Sequence, residues 1–188
     1  MNVGFAMCGS LCTFDSVFRA MEDIARHHNV TPILSQASCA IDSRFGTGKA
    51  HVEKVTELCK KAPLISIEDV EPIGPKKLLD ALIVAPCTGN TLAKLAHGIA
   101  DGPVTMAVKS HLRNGRPVIV AISTNDALAA AAENIGRLLP RKNYYFVPFR
   151  QDDPVGKPTS IVADFSRILP TLEAALEGKQ LQPLLIGS

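Results

Sequence analysis

The chain contains no tryptophan, and only 5% of its residues are aromatic. A platform for stacking nucleic-acid bases is therefore not expected. Basic residues come at most in pairs, Lys60–Lys61, Lys76–Lys77 and Arg141–Lys142, and the net charge is +2. Nucleic-acid binding needs a concentrated positive face, so no nucleic-acid partner is expected. The five cysteines, Cys8, Cys12, Cys39, Cys59 and Cys87, form no C-x-x-C pair. That spacing argues against a zinc site and against a redox dithiol. An odd, scattered set reads as reduced thiols in a cytoplasmic protein, with no metal. No apolar run approaches the ~20 residues that cross a bilayer, so no membrane partner is expected. The opening MNVGFAMCGS has no basic stretch ahead of an apolar one, so a cleaved leader is not expected either. There is no internal repeat and no low-complexity segment.

What is present is an ordinary globular composition, 46% hydrophobic and 20% charged over 188 residues. That length suits one core, and residues 1–188 are read as a single domain. Apolar runs alternate with helical spacing. Val3–Met7 reads as a strand. Val17, Phe18, Met21, Ile24 and Ala25 recur at helical spacing in the helix that follows. Val30–Leu34 is a second strand, Ala50–Lys61 an amphipathic helix, and Leu64–Ile67 a weak strand candidate. Ala81–Ala85 is apolar without alternation, as a strand buried on both faces must be, and is expected to stop at Pro86. Helices are expected over Thr91–Ala100, Pro103–Leu112, Ala127–Leu139 and Ala163–Glu177, with Gly178 at the last C-cap. Pro117–Ile122 and Tyr144–Phe149 complete the strands. Arg150–Ser160 reads as an irregular charged loop. The pattern predicts an α/β fold, an open parallel sheet with helices on both faces.

In such sheets ligands bind beyond the carboxyl ends of the strands. The loops there are Cys8-Gly9-Ser10, the Ser35-Gln36 end of strand two, Pro86-Cys87-Thr88-Gly89-Asn90, and Ser123-Thr124-Asn125. Gly4-x-x-x-x-Gly9-Ser10 has the spacing of a phosphate loop, yet the lysine that reaches the β/γ-phosphates is missing. The G-x-G-x-x-G dinucleotide fingerprint is missing too. A nucleoside triphosphatase and a standard NAD site are both disfavoured. A glycine turn feeding a helix start still suits one monophosphate. In the Thr88–Asn90 loop, small residues would let a planar ring approach, and Asn90 could present its amide or serve as the helix N-cap. Cys8 and Cys87 flank this region as small packing thiols rather than nucleophiles.

The segment Ala85-Pro86-Cys87-Thr88-Gly89-Asn90-Thr91-x-x-Lys94-x-Ala96-x-Gly98-x-x-Asp101 resembles the signature loop of the homo-oligomeric flavin-containing cysteine decarboxylase superfamily. The resemblance implies a Rossmann-like flavoprotein fold and a homo-oligomer. It also implies FMN held by Gly9, Ser10, Ser35, Pro86, Thr88, Gly89 and Asn90, with Ser123 and Thr124 as further contacts. Tyr144–Pro154, Lys157-Pro158 and Leu172–Gly178 narrow the likeness to the B subunits of bacterial dipicolinate synthases. That implies a partner A subunit carrying NAD(P), a dicarboxylate substrate, and work in the cytoplasm of a sporulating mother cell. Arg150 and Lys157 on the long loop are the favoured carboxylate holders, ahead of Arg44, Lys49 and His97; Arg150 leads because arginine pairs bidentately with a carboxylate and because it directly follows a strand end. No catalytic residue is assigned. The superfamily's P-x-M-N-x-x-M clamp is replaced here by Ser123-Thr124-Asn125-Asp126-Ala127-Leu128. Two other readings stay open: a stand-alone FMN-dependent decarboxylase or flavin prenyltransferase-like enzyme, and a non-catalytic scaffold subunit.

Overall fold

A computed structural model describes residues 1–187. The elements in chain order are β1 Asn2–Met7, α1 Phe14–His27, β2 Asn29–Leu34, α2 Gln36–Ala40, α3 Gly48–Cys59 and α4 Ile67–Val70. They continue with β3 Ala81–Cys87, α5 Gly89–His97, α6 Pro103–Leu112, β4 Val118–Thr124, α7 Ala132–Leu138, β5 Tyr144–Phe146, β6 Phe149–Asp153, β7 Lys157–Ala163 and α8 Ile168–Leu176. The parallel strands run in the order β2-β1-β3-β4-β5, with Phe5 opposite Pro32 and Ile83, and Ile119 opposite Tyr145. β1 and β3 are buried on both faces, as their unbroken apolar runs require. Helices cover the sheet on both sides. The order reverses between β1 and β3, which opens a crevice beyond their carboxyl ends.

The structure departs from expectation in places that share a cause. β3 does not stop at Pro86 but runs to Cys87, and its register against β4 slips between Val84 and Cys87. Proline brings no N–H to the ladder, so the slip falls there. Tyr144–Phe149 is two strands, because the chain turns at Val147–Pro148. Arg150–Ser160 is not irregular: β6 and β7 form an antiparallel hairpin, and β7 pairs with the last two residues of β4. The sheet is therefore mixed, mostly parallel with an antiparallel flap on one edge. β6 is the sheet's edge strand, polar and held mainly by backbone pairing, while β7 lies between β6 and the end of β4 and buries only its second half.

Ala127–Leu139 forms helix only from Ala132. Ahead of it the chain turns, with Ala129 and Ala131 donating to the Asp126 carbonyl and Leu128 donating to the Thr159 carbonyl of β7. Tertiary pairing overrides alanine's helix preference there. Leu64 makes a single bridge to Ile33 and no strand. Ala163 ends β7, and a 3-10 turn over Phe165–Arg167 precedes α8. Gly178, at φ +75°, follows α8 as expected.

Candidate functional site

The crevice is built by four strand ends. After β1, Cys8 donates its N–H to the Pro86 carbonyl at 3.2 Å, which ties the two central loops together. Pro86 itself is buried within β3. It is a strut under the crevice and is not among the residues lining its two cavities. Gly4 is also outside the site. It lies within β1, and a Cβ there would meet Leu79 and Leu82 at 2.6 Å, so Gly4 serves packing and is no part of a phosphate loop.

Two cavities meet along the Gly9–Thr88 line. The first, about 430 Å³, is bounded by Gly9, Ser35, Thr88, Asn90, Lys94 and the Gly102–Thr105 turn. Three helices begin on its wall. Ser35 caps α2, its Oγ accepting from Ser38 N. Thr88 caps α5, its Oγ1 accepting from Thr91 N. Gly102 precedes α6 and provides no side-chain cap. Each start leaves backbone N–H groups unpaired within its helix and carries partial positive charge. Asn90 is not the N-cap; it sits one residue into α5, exposed on the cavity wall. Sequence reasoning placed a helix at Pro103 but did not bring it to the site. The Gly-Pro pair before an apolar helix is the signal that marks such an uncapped start.

The second cavity, about 450 Å³, is bounded by Gly9, Ser10, Thr88, Ser123, Thr124, Asp152 and Lys157. Ser10 Oγ and Ser123 Oγ lie 2.8 Å apart, which locks the β1 loop to the end of β4. Gly89 lines neither cavity. Its missing Cβ makes room for Thr124 Oγ1 and Asp126 Oδ1, each 2.8 Å from where a Cβ would stand, and Thr124 donates to Asp126 at 2.5 Å. The structure thus gives Gly89 a packing reason for being glycine, against Thr124 and Asp126.

The rest of the signature has local causes. Lys94 reaches Asp101 at 2.8 Å, bracing α5 against the loop into α6. Gly98 takes the left-handed conformation, φ +73°, that ends α5. Below the cavity, Thr88 Oγ1 donates to Thr91 Oγ1, and Thr91 Oγ1 donates to Cys8 Sγ at 3.2 Å. Burial pushes the Cys8 thiol up to about 11 and raises Cys87 well above the ordinary thiol range. Both stay protonated at neutral pH, which suits packing and not nucleophilic attack.

The carboxylate holders are not brought together. Lys157 lines the second cavity, where it pairs with Asp152 at 3.1 Å, and that carboxylate raises the ammonium's pKa. Arg150 lines a different cavity of about 540 Å³, with Arg19 and Asp164. Lys49 pairs with Glu53, Arg44 stacks on Phe45, and His97 ends α5, all away from the two cavities of the crevice.

The sequence profile of the family described as Flavoprotein matches residues 1–160. The chain belongs to the flavoprotein family. It is 43% identical over 186 residues to the B subunit of dipicolinate synthase from Bacillus subtilis (strain 168), covering 98% of this chain and 93% of that one. The crystal structure of the dipicolinate synthase B subunit from Bacillus halodurans C superposes with a TM-score of 0.91 at 42% identity, over 100% of this chain and 96% of that one. The FMN-dependent cysteine decarboxylase SpaF has a TM-score of 0.68 at 22% identity, over 93% and 97% of the two chains. That last likeness establishes a shared fold. The crevice of this flavoprotein is thus the place where four strand ends and three helix starts converge.

Proposed function

We propose that this flavoprotein is the FMN-holding B subunit of a dipicolinate synthase, an oxidoreductase that forms pyridine-2,6-dicarboxylate from a dihydropyridine precursor. It would work with an NAD(P)-carrying A subunit in the cytoplasm of a sporulating mother cell. The observation that carries the reading is the convergence of the Gly9, Ser35, Thr88 and Ser123 loops on one crevice, in a chain 43% identical to a B subunit over nearly its whole length. The residues fit FMN. Helix starts and hydroxyls offer a phosphate and a ribityl chain donors without a buried cation. Bound there, FMN supplies a two-electron hydride acceptor, which aromatising a dihydropyridine ring requires.

This chain's residues would bind and orient. Gly9, Ser35, Thr88 and Asn90, with the α6 start at Gly102–Thr105, hold the cofactor from the first cavity. Ser10, Ser123 and Thr124 hold it from the second. Lys157 brings an ammonium to the second cavity, where a substrate carboxylate can sit beside the cofactor. The hairpin β6–β7 closes that cavity and keeps water from one side. Thr159 Oγ1 donates to the Asn125 carbonyl at 2.6 Å, which anchors the hairpin over β4. The clamp position, Ser123–Leu128, carries no methionine here, and the hairpin lies beside it with Leu128 N–H donating to the Thr159 carbonyl, so a dianion is favoured over a peptidyl cysteine.

The test is spectroscopic. The purified protein is titrated with FMN, and absorbance is followed at ~370 and ~450 nm, the ordinary flavin bands. The precursor is then added without oxygen. Bleaching of the longer band is expected. A flavin that binds but stays oxidised would overturn the redox role and leave a scaffold role.

A further inference from the structure

Beside the crevice lies the cavity of about 540 Å³ that Arg150 lines. One wall is a single face of α1, where Ser16, Arg19 and Asp23 recur at helical spacing. Another comes from the hairpin and the turn before α8, with Arg150 opposite Val162 in the ladder and Phe165 beyond them. Two guanidinium groups thus reach one cavity from elements far apart in the chain. Among the described residues neither has an ion-pair partner. Arg19 donates to Ser16 Oγ at 3.3 Å, which holds it along the α1 face. Two carboxylates line the cavity as well. Asp164 is already engaged, accepting from Ser166 Oγ at 2.6 Å and pairing with Arg167 at 3.4 Å. Asp23 has no ion-pair partner among the described residues. The free charge is therefore two cations against one carboxylate.

This cavity and the second cavity of the crevice share a wall, made by Cys12, Thr13 and Val162. Thr13 Oγ1 donates to the Ser10 carbonyl at 2.8 Å, which ties that wall to the β1 loop. Lys157 lines the crevice side and Arg150 the outer side, and one hairpin carries both. A guanidinium pairs bidentately with a carboxylate, so two unpaired ones suit a ligand with two carboxylates. Val162 and Phe165 offer apolar surface to the part between them. The hydroxyls of Thr13, Ser16 and Ser166 supply further donors.

We infer that this cavity is an outer station for the dicarboxylate, where Arg19 and Arg150 hold it before it passes the Cys12–Thr13–Val162 wall to Lys157. The choice of ligand rests on the proposed function, whereas the station itself needs no flavin. Asp23 opposes a dianion and keeps the hold loose enough for onward release. Cationic capture at the mouth of a site raises the rate at which the site fills. Final occupancy of the inner cavity changes little, because the ligand has left the arginines by then.

The experiment is isothermal titration calorimetry of the flavin-free, full-length chain at low salt. Lys157→Met silences the inner cavity, so the heat reports the outer one. The probes are pyridine-2,6-dicarboxylate, pyridine-2-carboxylate and inorganic phosphate. The dicarboxylate is expected to bind the K157M chain about tenfold more tightly than either other probe. R19M and R150M, each added to K157M, should weaken it about tenfold, and D23N should tighten it about threefold. Circular dichroism confirms that each variant is folded, and one that is not is replaced by R19Q or R150Q. With FMN bound and Lys157 intact, R19M/R150M should slow dicarboxylate association about fivefold in stopped-flow flavin fluorescence. High salt should erase that difference, since it screens the exposed arginines. No binding to the K157M chain, equal affinity for the three probes, arginine variants that bind as before, or an unchanged association rate would each overturn the inference. Failure of the flavin reading shows separately, as a chain that takes up no FMN, and leaves the calorimetry to decide the outer station.

Discussion

Gly89→Ala tests whether the crevice is shaped by packing behind the α5 loop. Gly89 opens α5 in an ordinary helical conformation, so backbone freedom does not explain the glycine. On propensity alone, alanine would stabilise the helix by up to ~1 kcal/mol. Against that, the new Cβ would stand 2.8 Å from both Thr124 Oγ1 and Asp126 Oδ1. Those atoms are already drawn together by their own hydrogen bond. Overpacking of this kind costs ~1–3 kcal/mol, so the net expectation is a loss of ~1–2 kcal/mol. In a chain of this size that lowers Tm by roughly 3–6 °C. Thr124 also lines the second cavity, so its displacement should weaken FMN about tenfold, equivalent to ~1.4 kcal/mol. The assays are urea unfolding followed by far-ultraviolet circular dichroism, and FMN titration by flavin fluorescence. Asp126→Ala supplies the control. It removes one of the two obstructing atoms and frees the Thr124 hydroxyl to turn away. In that background Gly89→Ala should cost less, with ~1 kcal/mol of coupling between the sites. A Gly89→Ala protein as stable as its parent would refute the reasoning, as would the same loss in both backgrounds.

Three further outcomes are expected. His111 is fully buried, its Nε2 donating to the Pro117 carbonyl at 3.1 Å while Nδ1 has no partner among the described residues. Burial pulls its pKa down to about 4 from 6.5. The unfolded chain then binds a proton that the folded chain refuses. Stability is therefore complete above about pH 6.5 and falls by up to ~3 kcal/mol as pH drops towards 4. His111→Gln should remove that slope in urea titrations between those pH values. Ser10→Ala and Ser123→Ala should each weaken FMN and cost ~1 kcal/mol of stability. Because the two hydroxyls bond each other, the double variant should lose less than the sum, measured by the same unfolding cycle. Lys157→Met should raise the dicarboxylate concentration for half-maximal flavin reduction about tenfold, whereas Arg150→Ala, on a separate cavity, should change it less than threefold.

Much of this protein was legible in its residues. Unbroken apolar runs such as Ala81–Ala85 can be satisfied only by burial on both faces, so the parallel core, its helical cover and the position of the crevice followed from period and composition. The loops at Gly9, Ser35, Thr88 and Ser123 could be named because ligands in such sheets gather beyond strand ends. The hairpin was hidden, since β6 and the first half of β7 are polar and β7 joins the sheet by pairing with the end of β4, far back along the chain. The short α7 was hidden for a related reason: Leu128 bonds to Thr159, and no local signal announces a contact between residues that distant in sequence. Only the tertiary structure could assign Pro86 to support, Gly89 to packing and Arg150 to another cavity. Residue type specifies what a side chain can do, whereas what it meets depends on which distant segments the fold brings beside it.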